Sequence, residues 1–154
     1  GESLVISLAP EELELIRGLR SELRPLLDGG AGDPAHARIF PRAYLDPTEE
    51  SAEEQWQEMV HPGLLRARLD ALDLVTSTLD RGIIRKERIE ITLEPDEVQA
   101  WLGVLNDIRL VLGVRLEVTE ELDEIGPSDP RAAGFAMYHW LTWLQGDLVE
   151  ALLG

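Results

Sequence analysis

Two short stretches of this chain repeat one local pattern at a spacing of 85 residues, and that repeat limits the fold more than any other feature. Ile6-Ser7-Leu8-Ala9-Pro10-Glu11-Glu12-Leu13 lies in register with Ile91-Thr92-Leu93-Glu94-Pro95-Asp96-Glu97-Val98, and Gly18 falls on Gly103. Leu4, Ile6 and Leu8 alternate with smaller or polar residues, as do Ile89, Ile91 and Leu93. Period-two alternation gives a strand with one apolar face. A proline at the first helical position with acids in the first turn opens a helix and suits its dipole. Each copy therefore reads as strand, proline-opened helix and mid-helix glycine. A lone strand leaves backbone N–H and C=O groups unpaired. The simplest remedy pairs the two strands with each other, with helices covering the apolar face.

The remaining chain reads as helix. Leu13, Ile16, Leu19, Leu23 and Leu27 recur at helical spacing, and Pro25 is expected to kink or end that helix before Gly29 and Gly30. Pro34 to Phe40 reads as a short helix. A helix begins at Asp46-Pro47, and His61-Pro62-Gly63 is expected to interrupt it. Leu65, Leu69, Leu72, Val75 and Leu79 continue an apolar stripe to Gly82, read as the residue just past the helix end. Glu117 to Asp129 reads as an acidic loop, and Ser128 or Asp129 as the cap of the last helix. The expectation is one α+β domain over 1–154, mostly α, with about five helices around a two-stranded β-ribbon.

Composition narrows the chemistry. The 154 residues carry fourteen basic and thirty acidic side chains, a net charge of −16, and no cysteine. Disulfides, thiolate metal sites and cysteine nucleophiles are excluded. Binding to nucleic acid draws on phosphate neutralisation, which this charge opposes, as it opposes an anionic membrane surface. No Walker A loop, Gly-x-Gly-x-x-Gly or Gly-x-Ser-x-Gly elbow occurs. Glu58-x-x-His61 has the spacing of a di-iron helix, but there is no second copy and Pro62 adjoins it. No cofactor, no metal and no catalytic residue is expected.

Two groups of residues are candidates for function. Trp140 and Trp143 are three apart on the last helix and, with Trp56, suit an interface, because tryptophan dominates binding hot spots. Gly103, Asn106, Leu110 and Gly113 form a small-residue face that would let a helix approach, with Gly134 serving the same end. Asn106, Asp107, Arg109 and Tyr138 would then form a polar cluster between helices. The first reading is a regulatory or adaptor-like protein working through a protein partner or as a homodimer. The second is a small-molecule binder or enzyme at the polar cluster, which requires a cavity of at least ~300 Å³.

Leu105-Asn106-Asp107-Ile108-Arg109-Leu110-Val111-Leu112-Gly113-Val114-Arg115-Leu116, followed by Tyr138-His139-Trp140-Leu141-Thr142-Trp143-Leu144-Gln145, resembles an actinobacterial family. It is the family known as domain of unknown function number two thousand and seventeen. The resemblance implies a cytoplasmic protein without assigned enzymatic activity, whose gene neighbours that of the Clp protease adaptor. It also implies a link to stress physiology and transcriptional regulation. Within the family a redox-responsive role relies on a cysteine pair, and that thiol switch does not transfer to these residues.

Overall fold

In the computed structural model, which describes residues 3–30, 32–116 and 129–153, three strands and five α-helices follow one another. The order is β1 (Leu4–Leu8), α1 (Pro10–Gly29), α2 (Pro34–Ile39), a short 3-10 turn (Pro47–Glu49), α3 (Glu50–Leu79), β2 (Ile83–Arg85), β3 (Arg88–Leu93), α4 (Pro95–Arg115) and α5 (Ala132–Leu153). The sheet is antiparallel with order β1-β3-β2. The fold is α+β and mostly α, as the sequence predicts, but the ribbon has three strands and not two. The added strand is β2. It joins β3 through Lys86 and Glu87, whose φ values of 50° and 68° are those of a tight hairpin turn.

Pairing of β1 with β3 places Ile6 opposite Ile91, Leu4 opposite Leu93 and Leu8 opposite Ile89. Since Ile91 is the repeat equivalent of Ile6, a local two-fold relates the strands about that pair. The copies also open their helices alike. The Ala9 N–H donates to the Glu12 carboxylate at 2.7 Å, and the Glu94 N–H donates to Glu97 at 2.8 Å. Each of these glutamates meets an arginine that also reaches a strand carbonyl. Arg81 pairs with Glu97 and donates to the Thr92 carbonyl at 2.7 Å. Arg88 lies 3.6 Å from Glu12 and donates to the Ser7 carbonyl at 2.9 Å.

One face of the sheet, with Ile6, Leu8, Ile91 and Leu93, is buried beneath the helices. The central helix is α4, which packs on α3, α5, α2 and α1. Its Trp101 is fully buried and donates its indole N–H to the Thr78 hydroxyl at 2.8 Å. Buried aromatics with a polar edge usually find such a partner.

Three expectations about helix ends are corrected. The helix α3 runs unbroken through His61-Pro62-Gly63. A proline costs about 3 kcal/mol inside a helix, but here both flanks are held. On one side the buried Glu53 carboxylate accepts N–H bonds from Ala43 and Tyr44 at 3.1 and 3.0 Å. On the other side Leu72, Val75 and Leu79 are buried. Likewise α1 continues past Pro25 to Gly29, because Leu26 and Leu27 anchor its last turn. Gly82 does not close α3. A Cβ there would lie 2.5 Å from the Ile89 side chain, so this glycine serves the close approach of β2 to β3. The acidic segment 117–128, with Ser128, lies outside the described residues. Asp129 accepts the Arg131 N–H at 2.8 Å just ahead of α5, as an N-terminal capping group does.

Candidate functional site

At 100° per residue, Asn106, Arg109 and Gly113 share one face of α4. Among the described residues no helix closes over it. With Tyr138 of α5 and Arg38 of α2 they line an open cavity of about 410 Å³, whose apolar wall is Leu110 and Val114. A Cβ built at Gly113 would meet nothing within 4 Å, so this glycine leaves empty space at the cavity. Gly103 instead faces Arg68 of α3, whose Nη1 would lie 3.6 Å from a Cβ there. Gly134 gives room to the Leu116 side chain at the end of α4.

Arg109 is held without any carboxylate. Its Nη1 donates to the Gln145 side-chain oxygen, and its guanidinium lies 5.4 Å from the centre of the Tyr138 ring. Its Nε is buried with no hydrogen-bond partner. Among the described residues, nine arginines pair with carboxylates; Arg20, Arg38, Arg66 and Arg109 do not, and of these four only Arg38 and Arg109 line the cavity.

Asp107 does not join this cluster. One step along α4 turns it away from the cavity and towards α3, where it is buried at 2% exposure. Arg68 Nη1 stands 3.5 Å from its Oδ1, and that oxygen accepts no hydrogen bond. Burial pushes its carboxyl up to about 6, with the Arg68 charge offsetting part of that rise. Glu53 shows the opposite balance. Burial alone would raise its carboxyl, but the Gln57 side chain, the Tyr44 and Ala43 N–H groups and the Arg42 charge together hold it below the usual range.

The tryptophans separate. Trp140 is half-buried in an open groove against Glu11, Glu12 and Leu15 of α1, packed on the core. Trp143 points outward and is 62% exposed. Trp56, half-buried on α3, belongs to another surface. Together with the exposed Met59, Val60 and Leu64 it forms an apolar stripe at helical spacing, beside Glu54 and Glu58.

The structure brings Asn106, Arg109 and Tyr138 together at one cavity, turns Asp107 towards α3, and adds Arg38, which the sequence reading does not include. The one sequence sign for Arg38 is its position on a proline-opened helix that could only be short. Among the described residues no group of three histidine, aspartate or glutamate side chains could hold a metal ion. None of the described helices is long and apolar enough to cross a membrane.

Residues 1–152 match the family model described as Domain of unknown function (DUF2017). A Mycobacterium bovis protein named oxidative stress regulator AosR is 32% identical, over 96% of this chain and 81% of its own length. A Mycobacterium tuberculosis protein of that name matches to the same extent. No solved structure matches the chain significantly. A family model that spans nearly every residue and a relative this similar over almost the full length lead to one conclusion: the chain belongs to the DUF2017 family.

Proposed function

We propose that this chain is a cytoplasmic regulator in the response to oxidative stress, working through contacts with a protein partner or a second copy of itself and performing no catalysis. The observation that carries this reading is the similarity to relatives named as oxidative stress regulators over 96% of the chain. Without cysteine in these residues, the regulation rests on surfaces and not on a thiol of this chain. Two surfaces favour contact: Trp143 on α5, and the α3 stripe of Trp56, Met59, Val60 and Leu64. Large apolar side chains collected on an exposed face suit a partner helix. Acids beside the α3 stripe favour a basic partner, and the net charge of −16 disfavours nucleic acid.

The reading is tested by deleting the gene in the native host and challenging with peroxide. The deletion strain is expected to lose viability, and the wild-type gene to restore it. A variant carrying Met59→Asp and Trp143→Ala, folded by circular dichroism, is expected not to restore it. A deletion strain as resistant as its parent overturns the stress role. Full rescue by the variant overturns the contact surfaces.

A further inference from the structure

We propose that the cavity between α2, α4 and α5 is a binding site for a small organic oxyanion that presents a phosphate or carboxylate group. The site stands apart from the regulatory reading, and the repeat points to it. Arg24 and Arg109 are equivalent residues at the offset of 85, on α1 and α4 respectively. Arg24 is an ordinary structural arginine, with its guanidinium 2.7 Å from the Asp73 carboxylate. Arg109 occupies the same place in the other copy, yet its partners are a neutral amide and an aromatic ring.

An uncompensated guanidinium is costly where water is restricted, and the Arg109 Nε is already buried without an acceptor. Arg38 adds a second positive charge to the same cavity and, among the described residues, has no hydrogen-bond or ion-pair partner. In a chain with more than two acids per base, two arginines on one concavity with no carboxylate among its described lining residues form a local reversal of charge. An anion that supplies the missing acceptors relieves both. Guanidinium forks match the planar carboxylate and the phosphate face, and Asn106 and Tyr138, which also line the cavity, carry further donors.

Size and charge choose among anions. A space of about 410 Å³ lies within the range that holds small metabolites. A polyanion would bring many charges against a protein of net charge −16, whereas a small anion senses mainly the nearby arginines.

The test is calorimetric titration of the purified full chain with inorganic phosphate and, separately, with citrate, at low ionic strength with chloride as the control. Saturable one-site binding of either probe, absent with chloride, is expected, and the preferred probe identifies the head group. Arg38→Ala is expected to weaken binding at least about tenfold, the loss of one charge-assisted contact. Gly113→Leu fills the cavity and is expected to abolish binding, and the open space at its Cβ lets the variant fold. Arg24→Ala is expected to leave binding unchanged. No saturable binding of either probe, or equal affinity in the Arg38 and Gly113 variants, overturns the proposal.

Discussion

The two copies of the strand–proline–helix unit begin alike and end differently. Both open with a glutamate that returns to its own N-terminal N–H, and both give that glutamate an arginine. Beyond the first turn they diverge. In the first copy α1 exposes Glu11, Glu14, Ser21, Glu22 and Asp28, and Arg24 is neutralised by Asp73. In the second, α4 is enclosed by four other helices and buries Trp101 and Asp107, and its Arg109 has no acid. The same local code thus sets where a helix starts, while its neighbours decide what its side chains do. Of the buried side-chain atoms without a hydrogen-bond partner among the described residues, α4 holds two, Asp107 Oδ1 and Arg109 Nε, and α1 holds one, Arg20 Nε.

The contrast can be broken most forcefully at the core. Trp101 is the equivalent of Ile16, and both are buried. Trp101→Ala is expected to cost about 4–5 kcal/mol, since it opens a large cavity and removes the indole donor from the Thr78 oxygen, whose hydroxyl still donates to the Val75 carbonyl; Ile16→Ala is expected to cost about 3 kcal/mol. Urea unfolding of both variants checks the order, and a larger loss at Ile16 would place α1 at the centre instead.

The clamps come next. The Glu97 side chain is 9% exposed and that of Glu12 is 28% exposed. Glu97→Gln is expected to cost about 1–3 kcal/mol at neutral pH and Glu12→Gln less than about 1 kcal/mol. The Arg81 hydrogen bonds hold the Glu97 carboxyl below its ordinary value despite burial, which opposes this. Its stabilisation is therefore present above the unfolded value near ~4.3 and lost as pH falls through the lowered folded value. Chemical unfolding from pH 7 to pH 3 should show the gap between wild type and Glu97→Gln closing at the acid end.

Asp107 should respond with the opposite sign. Its folded value is raised to about 6, so the native state favours the protonated form. Ionisation then costs stability as pH rises through about 6, and the cost vanishes below the ordinary carboxylate range near ~3.9. Asp107→Asn is expected to stabilise by about 1–2 kcal/mol at pH 7.5 and to have little effect near pH 4. The equivalent Glu22 is exposed on α1, and Glu22→Gln should stay within about 0.5 kcal/mol at both pH values. Thermal unfolding at the two pH values separates these cases.

The smallest effect concerns the equivalent mid-helix glycines. Nothing lies within 4 Å of a Cβ at Gly18, and Gly103 would make only an ordinary contact with Arg68. Each substitution to alanine is expected to raise stability by about 0.5–1 kcal/mol, read as an upward shift in melting temperature. A loss at Gly103 alone would mean that Arg68 cannot adjust on its way to Asp107.

How much of this was legible follows the same division. Strand alternation and the Pro10 and Pro95 helix starts are local, and they read correctly from residue order. The hairpin of β2 did not, because Lys86 and Glu87 adopt positive φ without the asparagine or glycine that normally marks such a turn. Pro62 misled for a related reason: its cost is local, but Glu53 and Leu72, which offset it, are fixed by tertiary contacts. At the site, helical periodicity joined Asn106, Arg109 and Gly113. It could not orient Asp107, since Asp107 lies one residue from Asn106 and only the position of α3 decides what it meets. Arg38 arrives from a separate short helix, so no periodicity within α4 or α5 points to it.

Amide chemical shifts followed during addition of inorganic phosphate compare the two copies in one experiment. The account predicts progressive, saturating shifts at Asn106, Arg109 and Gly113 on α4 and at Tyr138 on α5, with Ser21, Arg24 and Asp28 on α1 unmoved. Shifts of similar size on both helices, or none at either, would contradict it.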